Sequence, residues 1–356
     1  MANKRIKFIA NVLQNFKNDK FIDDVNKIYT SPDIFEMKHN GEKNKGSVIY
    51  RIDRPDWQCG FFANFNHILA QFYMCDKYGF KPVVAIGENW PYYEKDGING
   101  TKNGWEYYFK QPVGVEFSDA DESAAVIDYQ NVYFERYYPI FVKNGYEYPD
   151  EYYSEMGRVF KNYVHYNDVT LARLNSDIIS IIGNRKTLGV QIRMGDMLLA
   201  PNGHPVVPEL DEYVVEIKKA LEIGGFEQIY LATDDDRAVN RLKEEFGDRV
   251  KFYDDVSRVN GIYSAYNIPT ERKNHRYLCG LEVIRDMQTL ASCDGLVAGM
   301  SQVVIASRIA KAASGKNWDY IHIIDKGVHH NDKACLGKEA EAIMNAEIAR
   351  EHGNKK

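Results

Sequence analysis

The chain has 356 residues, long for one hydrophobic core and comfortable for two α/β domains. Apolar residues make up 44% and charged residues 27%, the profile of an ordinary globular protein. The formal charge of −6 comes without a basic block, which argues against sequence-independent nucleic-acid binding, since that depends on clustered Lys and Arg.

The opening MANKRIKFIANVLQNFKNDK has an apolar run too short and broken for a signal peptide or an anchor. No stretch approaches the ~20 apolar residues of a membrane span. Cys59, Cys75, Cys279, Cys293 and Cys335 are scattered, with no CxxC pair and an odd total. This pattern predicts reduced, buried thiols in a cytoplasmic protein rather than a disulfide framework or a zinc site.

The first clear element is the strand Val48–Ile52, followed by a turn at Trp57–Gly60. A helix follows over 61–78, with Phe65, Ile68, Leu69 and Phe72 on one face and Gly79 as its stop. With the strand Pro82–Ile86 this makes a strand–helix–strand unit, the building block of parallel sheets. Residues 88–166 are aromatic-rich and weakly periodic, with ten tyrosines between Tyr129 and Tyr166. Such rings stack on sugars, but packing is their commoner use and the preferred reading here. From Thr187 the alternation is regular. Strands fall at 188–192, 228–232, 250–253, 295–298 and 320–324, and helices at 211–221, 236–246, 279–292 and 302–313. Residues 331–356 read as a polar, frayed terminal helix. The expected architecture is α/β, with an N-terminal domain over 1–175, a doubly wound Rossmann-type domain over 176–330 and a helical tail over 331–356. Ligands of a doubly wound sheet gather at the carboxyl ends of its strands.

Four groups fall at such ends or on the helices between. Arg193, in Gln191-Ile-Arg-Met-Gly-Asp196, offers a planar fork of donors suited to phosphate, and Asp196 can brace it or cap the turn. An Arg–Asp pair of purely structural use is an equal reading of this motif alone. Asp234, Asp235 and Asp236 after the next strand suggest the DxD element with which one class of glycosyltransferases holds Mn²⁺. Capping by Thr233 or Asp234 of the helix that follows is the preferred reading, because no second carboxylate or His is placed for a metal. Glu282 and Asp286 share a helix face, which by itself is best read as solvated; a carboxylate in a nucleotide cleft can also accept from the N1 and N2 edge of guanine. Ser301 and Gln302 open a helix after a glycine-containing turn, a phosphate-binding arrangement or simply a good N-cap.

In order and spacing these pieces resemble the α-1,6-fucosyltransferases of N-glycan cores and their relatives that fucosylate nodulation factors. The resemblance runs from about Leu188 to Ala310. It rests on Gly189-Val-Gln-Ile-Arg-Met-Gly-Asp196, Asp211-Glu-Tyr213, Ile229–Asp235, Asn274-His-Arg-Tyr277, Asp286 and Leu296–Gln302, with a fainter echo at Cys59-Gly60 and His67. It implies a GT-B-like enzyme that transfers fucose from GDP-fucose to a glycan hydroxyl, inverting at the anomeric carbon and needing no metal or cofactor. By position, Arg193 meets the donor phosphates, Gln191 stands where the family usually has a guanine-facing His, Asp286 binds guanine, and Ser301 with Gln302 contacts phosphate. Asp234 counts among the donor-binding residues as well. The family's second Arg is Met194 here and its Thr is Gly195, a strand end closer to the α-1,2- and protein O-fucosyltransferases. The acidic residue sometimes proposed as base in the loop before the Tyr213 helix has no counterpart between Met197 and Val207. The membrane anchor, stem and SH3 domain of animal members have none either.

On this reading Arg193 and the amides near Ser301 stabilise the leaving diphosphate, and Asp196 or Glu209 serves as general base. Two rival classes stay open: a catalytically silent nucleotide-sugar binding protein, and a metal-dependent transferase built on Asp234–Asp236.

Overall fold

The computed structural model describes residues 35–54, 58–130, 146–330 and 338–352. The N-terminal segment 1–34, Trp57, Cys335 and the tyrosines Tyr133, Tyr137 and Tyr138 lie outside them.

The N-terminal sheet has the strand order β1 (Met37–Lys38), β4 (Val126–Asp128), β2 (Ile49–Asp53), β3 (Lys81–Ala85). Strand β2 pairs parallel to both β3 and β4, and β1 closes the edge antiparallel to β4. Helix α1 (Phe61–Tyr78) links β2 to β3 with the expected bounds, and Phe65, Ile68, Leu69 and Phe72 are all buried. Gly79, in the left-handed region, caps it by donating to the Cys75 carbonyl.

The C-terminal sheet is wholly parallel, with the order β7 (Val250–Lys251), β6 (Gln228–Thr233), β5 (Thr187–Ile192), β8 (Gly295–Gly299), β9 (Tyr320–Ile324). Chain direction across the sheet reverses between β5 and β8, so the crevice for a ligand opens beyond the ends of these two strands. Strand β7 is two residues shorter than its apolar run suggests.

Two helices were not anticipated, α2 (Asp150–Tyr163) in the aromatic-rich segment and α3 (Asp168–Ile182) just after it. The buried face of α2 is Tyr152, Tyr153, Met156, Gly157, Val159 and Phe160, at helical spacing, whereas α3 buries only Thr170 and Leu174. Helices α4 (Leu210–Gly224), α5 (Asp236–Phe246), α6 (His275–Ser292) and α7 (Gln302–Ala313) flank the C-terminal sheet.

The rings upstream of α2 serve packing. Trp90, Trp105, Tyr107 and Tyr108 are buried, Trp105 stacks on Phe109 with centroids 4.4 Å apart, and the Tyr108 hydroxyl donates to the Tyr277 carbonyl at 2.8 Å. Their cluster continues into Ile284 and Met287 of α6 and Ile305 and Ile309 of α7, so one apolar core joins the two sheets. Helix α2 lies directly on α7 at Gly157, where a Cβ would stand 2.8 Å from the Ala313 nitrogen. The helices that carry the candidate site are therefore gripped from the N-terminal side.

The terminal helix α8 (Lys338–His352) is docked, contrary to the frayed tail expected from its polar composition. Met344 and Ile348 pack with Val259 and Tyr263, and the Tyr263 hydroxyl donates to Glu351 at 2.5 Å. Two apolar residues one turn apart are enough to seat it, too few to mark a stripe in the sequence. Four unpaired cysteines fall among the described residues, of which Cys75, Cys279 and Cys293 are buried and Cys59 is half-buried. Among those residues no helix is long and apolar enough to cross a membrane.

Candidate functional site

A cavity of about 310 Å³ opens beyond the carboxyl ends of β5, β6 and β8. Its far wall comes from the other sheet's unit, from Gly60 to Ala63 at the start of α1 and from Tyr92. Gln191, Arg193, Asp196, Asp234, Asp286, Ser301 and Gln302 all line it, although they are spread over more than a hundred residues of sequence.

Arg193 follows β5, which leaves its side chain at the strand mouth with 29% exposure. Its guanidinium is held between two carboxylates, Nη2 on Asp196 and Nη1 on Asp234. Asp234 also accepts the Met194 N–H at 2.9 Å through Oδ1, so one carboxylate fixes both the turn and the cation. Gly195 has φ +49°, and a Cβ there would lie 2.7 Å from Asp234 Oδ2 and 3.1 Å from Arg193 Nη1. The turn needs glycine for both reasons. Met194 packs into the C-terminal core, so the position after Arg193 faces away from the cavity.

The three aspartates after β6 do different things. The cap of α5 is Asp235, not Thr233 or Asp234: its side chain accepts the Arg237 N–H at 2.8 Å and pairs with the Arg237 guanidinium. Asp235 is wholly buried, whereas Asp234 turns toward Arg193. Sequence pattern does not distinguish adjacent aspartates as caps; backbone conformation does, and Asp235 has the extended φ and ψ of an N-cap. Among the described residues no group of three or more His, Cys, Asp or Glu side chains is arranged to hold a metal.

Glu282 and Asp286 are not on a solvated face. Both lie on the inner side of α6, Glu282 paired with Arg272 and accepting the Ser257 N–H at 3.1 Å. Asp286 accepts from the Tyr230 hydroxyl at 2.6 Å. Burial pushes its carboxyl up to about 6; the Tyr230 bond and the nearby Arg258 and Arg285 oppose the rise without cancelling it. Arg285 stacks on Tyr253 with 3.8 Å between guanidinium and ring centroid, and pairs with Asp255 and Asp177. These contacts tie α6 to α3 behind the cavity.

Ser301 is the N-cap of α7, accepting the Val304 N–H at 3.2 Å while its hydroxyl donates to Gln191 Oε1 at 3.1 Å. The first turn of α7 thus faces the cavity with its amide end, a favourable place for an anion. Gln302 is anchored across the cavity by Asn66 of α1, whose Nδ2 donates to Gln302 Oε1 at 2.8 Å.

Of the two candidate bases, Glu209 does not line the cavity. Its carboxylate accepts the N–H of Glu212 in a capping box at the start of α4, and the Glu212 side chain returns the bond. Asp196 does line it, but is engaged by Arg193. The sequence reading missed His204, Tyr213 and Tyr266, which also form the wall. A Gly-His-Pro step in the loop after Arg193 was the only signal for His204, and a lone His is not enough to single it out.

No family model matches the chain, and no curated protein does. Among solved structures, the chain is similar to the NodZ α-1,6-fucosyltransferase soaked with GDP-fucose, with a TM-score of 0.46, 14% identity, and coverage of 74% of this chain and 92% of that one. The NodZ fucosyltransferase from Bradyrhizobium gives 0.45 at 15% identity over 80% and 98% of the two chains. POFUT1 in complex with GDP-fucose gives 0.43 at 9% identity over 82% and 100%. With its two sheets, one of them doubly wound, and a cavity between their units, the chain is an α/β protein of GT-B-like architecture.

Proposed function

We propose that the chain is an inverting, metal-independent glycosyltransferase that transfers fucose from GDP-fucose to a glycan hydroxyl. One observation carries the reading: an arginine, a helix amide end and a part-buried carboxylate converge on one cavity at the point where strand order reverses. Arg193 and the first amides of α7 would share the charge that grows on the departing diphosphate. The two carboxylates on Arg193 hold its plane in place, so little reorganisation is needed when phosphate arrives. Asp286, when ionised, would accept from the two N–H groups on the guanine edge, which adenine lacks. Metal independence is supported by Asp234 and Asp235 being spent on Arg193, Met194 and Arg237 rather than converging on a common point.

The test is ligand-dependent unfolding with EDTA present throughout. GDP and GDP-fucose at one hundred times Kd should each stabilise the fold by ~2.7 kcal/mol, with ADP and UDP-sugars well behind. Stabilisation seen only after adding Mn²⁺ would return the aspartate run to a metal-binding role.

A further inference from the structure

We propose that Glu282 binds the ribose of the donor nucleotide by accepting from its 2′- and 3′-hydroxyls, an assignment that rests on the donor reading above. Glu282 lines the cavity although its own surface is only 6% exposed. Among the described residues its carboxylate has two partners. Oε2 accepts the Ser257 N–H at 3.1 Å, and Oε1 lies 2.5 Å from Arg272 Nη2 as an ion pair, without a well-directed hydrogen bond. A carboxylate offers about four lone-pair sites, so this one keeps acceptor capacity on both oxygens. A buried acceptor short of donors, in the wall of a cavity, calls for donors from a ligand.

Closing the loop before α6 does not require this carboxylate. Arg272 also donates to Ser257 Oγ at 2.8 Å and to the Asp255 carbonyl at 3.2 Å, and these bonds tie the loop together by themselves. A buried ion pair adds little net stability, because desolvation offsets the attraction. The effect of Arg272 on Glu282 is to fix where its two oxygens stand.

Their place in the cavity matches a ribose. Helix α6 returns from β7 to β8 against the direction of the parallel strands, so its N-terminal end lies at their carboxyl ends. Glu282 is four residues before Asp286, on the same face and about 6 Å nearer the cavity mouth. A nucleoside diphosphate runs from base through ribose to diphosphate. With guanine on Asp286 and the diphosphate at Arg193 and the first amides of α7, the ribose falls between them. The acidic side chains lining the cavity are Asp196, Asp234, Glu282 and Asp286. Asp196 and Asp234 hold Arg193, which leaves Glu282 for the sugar. Two neighbouring hydroxyls are both donors and suit the paired oxygens of one carboxylate.

The test titrates GDP and 2′-deoxy-GDP by calorimetry into the full chain and into Glu282→Gln. The wild type should bind GDP roughly tenfold or more tighter than 2′-deoxy-GDP, the loss expected when a hydrogen bond to a charged acceptor is removed. Gln keeps one acceptor but no charge, so in the variant that ratio should shrink to a few-fold, chiefly through weaker GDP binding. Equal affinity of the wild type for the two nucleotides requires no variant to interpret; it would overturn the assignment and leave guanine recognition intact. A variant that keeps the wild-type ratio, with both affinities lowered or neither, would make Glu282 a structural partner of Arg272 and overturn it as well. A wild type that binds neither nucleotide would remove the donor reading, and the ribose contact with it.

Discussion

Replacing Asp286 with Asn separates stability from nucleotide recognition at the floor of the cavity. The Asp286 carboxyl is part-buried and raised from 3.8 to about 6, so at neutral pH the fold carries the cost of ionising a group largely withdrawn from water. At about 1.4 kcal/mol per pH unit, that cost is about 3 kcal/mol. The sign follows from proton counting: between pH 3.8 and about 6 the folded chain binds more protons at this site than the unfolded chain, so stability falls as pH rises through that window and is then level. Asn keeps an oxygen for the Tyr230 hydroxyl but cannot ionise. Its amide NH₂ adds a cost of its own, which is the same at every pH and cancels in the comparison. Urea unfolding of both proteins from pH 4 to pH 8 should therefore show the wild type losing about 2.5 kcal/mol more than Asp286→Asn across the range, the remainder of the difference falling below pH 4. Glu282 is raised by burial as well, but it is present in both proteins. The same substitution should weaken GDP by about 1.5–3 kcal/mol, roughly tenfold to a hundredfold, because a charged acceptor facing guanine is lost. Parallel pH curves for the two proteins would refute the burial argument, and equal GDP affinities would refute the guanine contact.

Arg193→Lys keeps the charge but not the planar fork that meets two carboxylates now and would meet two phosphate oxygens in the complex; fucose transfer should drop by about 100-fold or more with the near-UV CD spectrum preserved. Near wild-type transfer by that variant would make Arg193 structural. Gly195→Ala places a methyl against Asp234 and Arg193 at a positive φ, so it should cost more than ~1 kcal/mol in unfolding and also weaken GDP binding. Calorimetry showing lost stability with unchanged GDP affinity would mean that the turn does not orient Arg193.

Periodic elements were legible in the sequence because each encodes its own partner face. Helices α1, α5 and α7 have the bounds their patterns and stop signals imply, and the strand ends carry Arg193 and Ser301 as their spacing requires. Helix α2 was missed although Tyr152, Met156, Val159 and Phe160 keep a helical period, because the run of tyrosines around it masks that period, and α3 was missed because it buries only Thr170 and Leu174. Nor was the docking of α8, which depends on Val259 and Tyr263 some eighty residues away in the chain. The state of each polar side chain in the cavity was likewise set by contacts remote in sequence. Asp286 reads as a solvated helix carboxylate until Tyr230, on a strand 56 residues earlier, covers it. Asp234 reads as a cap until the turn after Arg193 brings a guanidinium and an amide to it. Local pattern determines which backbone forms, because hydrogen bonding and burial repeat along one segment. Protonation, pairing and reach depend on what other segments bring into contact, and only the tertiary structure decides that.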